Sequence, residues 1–293
     1  MQIKTQSITK RFGIQVINQN QQNILDIDQE QVINLFKTHG VLLFRGFTTN
    51  VDIFRKFSNL FSTDFLNYTG GAFQRRVING DQTLLSVNDY QFEIKLHGEM
   101  YYQKNIPLML WFFCASPASE KGETTICDGR QFFTELSDSA KQLFQQKKLK
   151  FKALMSEEEW HSKYKTDNVD KLAELCQQNN THLTVNNDQS ITLEFITPAI
   201  HPSRCGKYQI FINSLLPTIQ LNPHILKFDD DSEIPAEVIA ELNTIAEKIT
   251  VDIVWQKGDI LMIDNTRIMH GRRAFIDKKR DIYIRLCSPS FQF

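Results

Sequence analysis

Two histidines, one glutamate and a later arginine are the residues of this chain whose types and spacing favour metal chemistry. His97 and Glu99 flank a glycine, His270 ends a strand-like run, and Arg285 follows fifteen residues later. Two imidazoles and one carboxylate occupy one face of a non-haem iron centre and leave the other face open for a co-substrate and dioxygen. An arginine holds a carboxylate with paired N–H donors. The set predicts an oxygenase that uses Fe(II), 2-oxoglutarate and O2.

The spacing of the first two ligands indicates a strand. Residues 93–99 alternate, so that His97 and Glu99 are expected on one face, where both side chains can reach one ion. Gly98 between them suits a crowded position. An H-x-E triplet alone is a weak signal. His270 is the best candidate for the third ligand, and spacing alone does not exclude His201.

The arginine adds specificity to this set. In the run 281–287 the aliphatic residues share one face, and Arg285 shares the other face with Tyr283 and Asp281. We expect Arg285 to point into a polar cavity, where a carboxylate is its natural partner. Arg280 competes for the same role.

Composition indicates one large globular domain over residues 1–293. The chain has 293 residues, of which 41% are hydrophobic and 22 are Phe, which favours a thick core over a disordered chain. The net charge is −1 and the basic clusters are short, so no nucleic-acid partner is expected. Five widely spaced cysteines without a C-x-x-C pair argue against a disulfide framework and a structural zinc site.

The sequence shows no sign of export or membrane insertion. The first residues lack the apolar core of a secretory signal, and no uncharged apolar run approaches the ~18 residues of a membrane span. We therefore expect a cytoplasmic protein with no membrane partner.

Periodicity predicts a mostly β protein with helices: a double-stranded β-helix (jelly roll) core with helical decoration. The polar stretch 156–190 is expected to be mainly helical and to form an insertion that acts as a lid. Helices are predicted over 27–40, 51–61, 130–146 and 234–248. Strands are predicted over 41–44, 108–114, 192–196, 208–212, 260–263 and 282–286.

Several motifs together resemble the taurine dioxygenase (TauD/TfdA) superfamily. The likeness is greatest to the branch similar to the syringomycin-pathway aspartyl hydroxylase and the clavaminate synthase-like enzymes. It extends from about residue 38 to 286. The matching stretches are YTGGA at 68–72, RR at 75–76, LHGEMYYQKNIPLMLWFFC at 96–114, KGETTICDGR at 121–130, HPSRCGKYQIFIN at 201–213, WQKGDILMIDNTRIMHGRRAF at 255–275 and RDIYIR at 280–285.

The resemblance implies roles for individual residues. His97, Glu99 and His270 correspond to the iron ligands. Thr124 corresponds to a hydroxyl contact to a 2-oxoglutarate carboxylate, and Arg285 to the ion-pair partner of the far carboxylate. A glutamate at the second ligand position is similar to the clavaminate synthase-like members. It argues against halogenases, which leave that position free for chloride.

The resemblance also implies a substrate class. Similar enzymes hydroxylate an unactivated carbon of an amino acid, sometimes while it is loaded on a carrier protein, in secondary metabolism. Candidate substrate contacts are Asn88, Arg75 and Arg273. The paired arginines Arg75-Arg76 and Arg272-Arg273 are expected to suit a substrate carboxylate or the phosphate of a carrier's phosphopantetheine. A homo-oligomer is compatible with the sequence.

Three alternatives stay open at this point. The same iron site supports desaturation or cyclisation of a small molecule, because these outcomes diverge only after hydrogen abstraction. Two histidines and a glutamate also suit a zinc hydrolase, although no H-E-x-x-H helix is present. A non-catalytic binding protein with a relict metal site is the alternative of another class.

Overall fold

The computed structural model describes residues 3–18, 21–67 and 75–292. The chain forms two compact units. Unit 1 comprises Met1–Ile94, Pro107–Asp128 and Thr250–Phe293, and unit 2 comprises Lys95–Ile106 and Gly129–Ile249. This division does not test the predicted single domain over 1–293, which stays a prediction. The family-like motif at 68–72 lies outside the described residues.

Strands and helices alternate irregularly along the described chain. The helices are α1 Gln29–His39, α2 Val51–Asn59, α3 Gly129–Glu135, α4 Asp138–Gln146, α5 Glu157–Tyr164, α6 Val169–Gln178, α7 Leu215–Leu221 and α8 Ala236–Ile249. The strands are β1 Lys4–Ser7, β2 Ile14–Ile17, β3 Val41–Arg45, β4 Asp64–Phe65, β5 Val77–Ile78, β6 Asp81–Ser86, β7 Ile94–His97, β8 Met109–Ser116, β9 Thr124–Asp128, β10 Leu149–Met155, β11 Thr181–Val185, β12 Ile191–Thr197, β13 Ile200–Pro202, β14 Gln209–Phe211, β15 Leu226–Phe228, β16 Val251–Ile253, β17 Ile260–Asp264, β18 Ile268–Arg272 and β19 Asp281–Ser288.

Unit 1 is built on antiparallel sheets, as the predicted jelly roll requires. Its large sheet has the order β1-β2-β3-β17-β8-β19-β6-β5, with β4 paired to β19. All of these pairs are antiparallel except β2 with β3. In a second sheet of unit 1, β9 lies between β16 and β18. The fold class predicted from the sequence, mostly β with helices around a jelly roll, is confirmed.

Helices α1 and α2 cover one face of the large sheet with an aromatic core. Phe57 of α2 packs edge-on against Trp111 of β8, with ring centroids 5.7 Å apart. Phe54 stacks on Phe113 at 5.3 Å. Since β8 alternates, Trp111 and Phe113 share this face, and Phe112 points to the other. Many of the phenylalanines thus form the core between the helices and the large sheet.

Local sequence signals account for most element boundaries. Helix α1 begins after Asp28, whose carboxylate accepts the N–H of Gln31, and ends at Gly40 in the left-handed conformation (φ 70°). The single helix predicted over 130–146 is wrong in one respect. It is interrupted at Ser137, whose hydroxyl caps α4 by accepting the N–H of Ala140.

Unit 2 contains six helices and its own four-stranded sheet, with the order β11-β12-β10-β15. The insertion predicted over 156–190 folds as α5, α6 and strand β11, so it is less helical than expected. It has a small core in which Trp160, Leu172 and Cys176 pack with Ile191 and Leu193 of β12. The insertion is therefore a packed element; its role as a lid stays a prediction.

Among residues 3–18, 21–67 and 75–292, no helix is long and apolar enough to cross a membrane. The longest described helix, α8, has 14 residues. A membrane-spanning helix needs about 20.

The aromatic core of unit 1 gives a first testable prediction. Replacing Phe57 by Ala removes a fully buried ring and leaves a cavity between α2 and β8. We expect a loss of about 3–5 kcal/mol in the free energy of unfolding, measured by urea denaturation. The matched control is Phe92→Ala, because that ring is 39% exposed. Equal losses in the two variants would contradict the packing described.

Candidate metal centre and co-substrate site

His97 and Glu99 are brought together by a turn. Strand β7 ends at His97, and Glu99 lies in the turn that follows, so the strand predicted over 93–99 is too long. The turn is held by Gly98, whose N–H donates to the carbonyl of Asn213 at 2.9 Å and whose carbonyl accepts the hydroxyl of Ser214 at 3.0 Å. The turn therefore has a defined conformation in unit 2.

Gly98 is also required by space. A Cβ at this position would lie 2.4 Å from Cδ2 of Tyr101 and 2.8 Å from Cγ1 of Ile212. Both distances are shorter than any real contact. The crowding expected at Gly98 is thus confirmed, and its cause is the packing of these two side chains.

The hydrogen bond of His97 selects its ligand nitrogen. Nδ1 lies 2.8 Å from the carbonyl oxygen of Lys95. A carbonyl only accepts, so Nδ1 carries the proton and Nε2 is left with its lone pair. This is the usual way in which a protein orients a metal-binding imidazole. Nε2 lies 3.8 Å from Oε2 of Glu99.

His270 lies on β18 of unit 1, and the pairing of β18 with β9 shows which face of the sheet it occupies. It is paired with Ile126 of β9, and Arg272 is paired with Thr124. Directly paired residues of an antiparallel ladder point to the same side, so all four side chains share one face. The ring of His270 lies 5.6 Å from that of Phe112, centroid to centroid. This face is therefore turned toward the face of the large sheet that the helices leave free.

Among the described residues, His97 and Glu99 of unit 2 and His270 of unit 1 make up a set that could hold a metal ion. Two imidazoles and one carboxylate are the donor set of a non-haem iron centre. His201, the alternative left open by the spacing, is not a member of this group.

The start of β9 brings a bonded hydroxyl, that of Thr124, within two residues of a glycine that contacts Arg280. The hydroxyl oxygen of Thr124 accepts the indole N–H of Trp255 at 3.1 Å, which leaves the Thr124 proton available for an acceptor. Arg280 donates through Nε to the carbonyl of Gly122 at 2.9 Å, two residues before Thr124. Gly122 has a φ of 72°, and a Cβ there would lie 3.1 Å from Arg280. Glycine thus permits this approach.

Arg280 and Arg272 are two neighbouring buried cations. The guanidinium of each lies about 5 Å from the ring centre of Phe275, at 4.9 and 5.0 Å. Each donates to the carbonyl of Val87. Burial and, to a smaller extent, the charge of Arg272 lower the pKa of Arg280 to about 9. Burial also lowers the pKa of Arg272 to about 10. Both stay protonated at neutral pH, and a bound anion would stabilise them.

Arg285 does not face the cavity predicted for it. Its partner across the ladder is Trp111, which belongs to the helix-covered aromatic core, whereas Ile284 is paired with Phe112. The guanidinium donates to Ser58 Oγ at 2.6 Å and to Asn59 Oδ1 at 2.8 Å, both near the end of α2. It therefore lies on the opposite face of β19 from the ring of His270, and Arg280 is the arginine that is bonded to Gly122, two residues before Thr124.

The three predicted substrate contacts have different positions. Asn88 supports Arg280, because its Oδ1 accepts from Arg280 Nη1 at 2.7 Å and its amide donates to Asp281 Oδ1 at 2.9 Å. Arg273 forms ion pairs with Asp252 at 3.0 Å and with Glu93 at 3.4 Å. Protein groups thus orient both side chains, and the roles predicted for Asn88 and Arg273 as substrate contacts stay predictions. Arg75 lines a small pocket next to Arg272.

Comparison with known proteins decides the family. Residues 4–287 match the profile of the taurine catabolism dioxygenase TauD, TfdA family. The chain belongs to this family. The predicted enzyme class, an Fe(II)- and 2-oxoglutarate-dependent dioxygenase, is thereby confirmed.

Three known proteins resemble the chain in sequence or in fold. The chain is 26% identical to a clavaminate synthase-like protein of Arabidopsis thaliana over 275 residues, which cover 87% of this chain and 83% of that protein. It is 42% identical to an L-ornithine/L-arginine 3-hydroxylase of Catenulispora acidiphila over 59 residues, 20% of this chain and 17% of that protein. The fold is similar to that of a taurine dioxygenase from Burkholderia xenovorans (TM-score 0.61, 14% identity, 97% of this chain and 89% of that one).

One residue of this dioxygenase's site was missed from the sequence. Arg272 was among the arginines proposed to bind an anion, and its position two residues after His270 places it on the same face of β18. Trp255, which orients Thr124, had no comparable signal, because a contact between residues 131 positions apart is set by the tertiary fold.

The turn of unit 2 supplies a testable prediction. We expect Gly98→Ala to displace Tyr101 and to tilt the backbone between His97 and Glu99. The free energy of unfolding should fall by about 1–3 kcal/mol because of overpacking. Anaerobic Fe(II) titration should show weaker binding. Gly206→Ala is the control, since nothing lies within 4 Å of a Cβ there. Wild-type iron affinity in Gly98→Ala would contradict the account of the turn.

Proposed function

We propose that this dioxygenase hydroxylates an unactivated carbon of an amino acid, free or bound to a carrier protein, with Fe(II) held by His97, Glu99 and His270. The observation that carries the proposal is the pair of ligand atoms in unit 2, Nε2 of His97 and Oε2 of Glu99, which lie 3.8 Å apart. Two nitrogen donors and one carboxylate leave positions of an octahedral ion open, which suits an iron oxygenase. A zinc hydrolase is disfavoured by the family to which the chain belongs.

The first role of the protein is to hold the ligands in one orientation. The Lys95 carbonyl fixes the tautomer of His97. The hydrogen bonds of Gly98 fix the turn that carries Glu99. His270 is fixed by the ladder of β18 with β9. Bound iron and 2-oxoglutarate supply the oxidising chemistry with dioxygen, and the side chains supply position and charge.

We assign the far carboxylate of 2-oxoglutarate to Arg280 and Thr124. Arg280 is buried, and in the described residues its hydrogen bonds go to two carbonyls and the amide of Asn88, with no carboxylate partner. Thr124 is buried nearby, with a hydroxyl proton left to donate. A dicarboxylate would give Arg280 a carboxylate at hydrogen-bonding distance. Arg285, which the resemblance implied, instead stabilises the contact of α2 with the large sheet.

The substrate class is supported by similarity. The chain shares its highest local identity among the relatives described with an L-ornithine/L-arginine 3-hydroxylase. Only 59 residues carry this match, so we propose the class of substrate, an amino acid, and not its side chain. We also propose that α5, α6 and β11 act as the lid over the bound substrate, since they form a separately packed element.

The ligand assignment predicts the behaviour of single variants. His97→Ala and His270→Ala should each reduce Fe(II) binding below one equivalent, because two remaining ligands hold the ion poorly. The readout is anaerobic equilibrium dialysis with metal analysis. His182→Ala is the control, as this histidine is exposed on β11. One full equivalent of iron in either ligand variant would overturn the assignment.

The two arginines give a prediction that separates their roles. Arg280→Gln should weaken 2-oxoglutarate binding at least tenfold, measured by the visible charge-transfer band of the anaerobic Fe(II) protein. Arg285→Gln should leave that affinity within twofold. It should lower the free energy of unfolding by about 2 kcal/mol through lost hydrogen bonds to α2. The reverse pattern would return the co-substrate to Arg285.

A further inference from the structure

We propose that a small pocket of unit 1 binds the α-ammonium and α-carboxylate groups of a free amino acid. The inference rests on the proposed function and narrows its substrate class. Arg75, Asp89, Tyr90 and Arg272 form the polar wall of this pocket, and Val87 and Ile94 lie on its apolar side. Its volume is about 40 Å³. That suits a charged head group and is too small for a whole amino acid.

Arg272 has a buried N–H group without an acceptor among the described residues. Its two terminal nitrogens donate to the carbonyls of Val87 and Phe92, each at 2.8 Å. These bonds fix the plane of the guanidinium. Its Nε is buried and has no hydrogen-bond partner in this part of the chain, and the residue is only 6% exposed. Buried N–H groups are normally satisfied, so an unmatched one in a pocket wall indicates a ligand acceptor.

The charges around the pocket match a zwitterion. Arg75 and Arg272 are cations, and Asp89 is an exposed carboxylate that forms no ion pair within the described part of the chain. The negative charge of Asp89 raises the pKa of Arg272 and so stabilises its protonated form. The two groups form no ion pair among the described residues. A carboxylate fits the arginines and an ammonium fits Asp89. A purely anionic head group would leave Asp89 as a repulsive neighbour.

The pocket is adjacent to a metal ligand on the same strand. Arg272 and His270 point to the same face of β18, and residues two apart in a strand are separated by about 6.6 Å. If the head group is held at Arg272, the first carbons of the amino-acid side chain lie near His270. We therefore expect the enzyme to hydroxylate a carbon close to the α-carbon.

The pocket also distinguishes the free substrate from the carrier-bound one. On a carrier protein the carboxyl group of the amino acid is a thioester, which carries no charge. Such a substrate would leave the Arg272 Nε without an anionic acceptor. The structure thus favours a free amino acid.

The test uses the full chain with Fe(II) and 2-oxoglutarate under anaerobic conditions. The probes are the twenty proteinogenic L-amino acids and L-ornithine, each followed by the shift in Tm and by the change in the charge-transfer band. We expect at least one to bind. Its methyl ester and its analogue without the amino group should each bind at least about tenfold more weakly.

Two pocket variants identify the contacts. Asp89→Asn should lose the preference for the amino acid over the analogue without the amino group. Arg75→Gln should lose the preference over the ester. Arg76→Gln is the matched control, because Arg76 is 61% exposed and does not line the pocket. Unchanged preferences in both pocket variants would overturn the inference.

The remaining outcomes separate this inference from the proposed function. If the charge-transfer band forms but none of the twenty-one amino acids binds, or the ester binds as well as the acid, the pocket assignment fails and the oxygenase proposal stands. If no band forms in folded protein, the proposed function itself fails.

Discussion

The register of the antiparallel ladders in unit 1 is the constraint on which the site depends. Side chains alternate along a strand, so a shift of one residue in pairing would exchange its two faces. Trp111 of β8 packs against Phe57 on the helix-covered face. Its neighbour Phe112 must then face the other way, toward His270. The packing of α2 on the large sheet thus helps to decide which side chains are available for chemistry.

Two buried cations beside that face give unit 1 its electrostatic character. Arg280 and Arg272 are held by backbone carbonyls and by the ring of Phe275, with the charge only partly compensated. Fixed donors of this kind need little reorganisation when an anion binds. Their burial lowers the stability of the empty protein and raises its affinity for anions. This is the usual compromise at a functional site.

Unit 2 contributes rigidity to the metal ligands that it carries. The turn at Gly98 is bonded on both sides to residues 213 and 214, and it has no room for a side chain. His97 has one nitrogen committed to the backbone. Such supporting contacts orient ligands before the metal arrives, and the loss of one typically weakens metal binding.

The sequence by itself determined the ligand types, the family motifs and the elements with strong local signals, such as α1 between Asp28 and Gly40. These follow from side-chain chemistry, periodicity and capping, which act over a few residues. The tertiary structure decided that Glu99 lies in a turn, that Arg280 is bonded to Gly122 near Thr124, and that Arg285 is bonded to the end of α2. Alternation along β19 divides its residues into two faces. Both faces are buried, one under helices and one toward the second sheet, so polarity along the strand could not reveal which face holds the site.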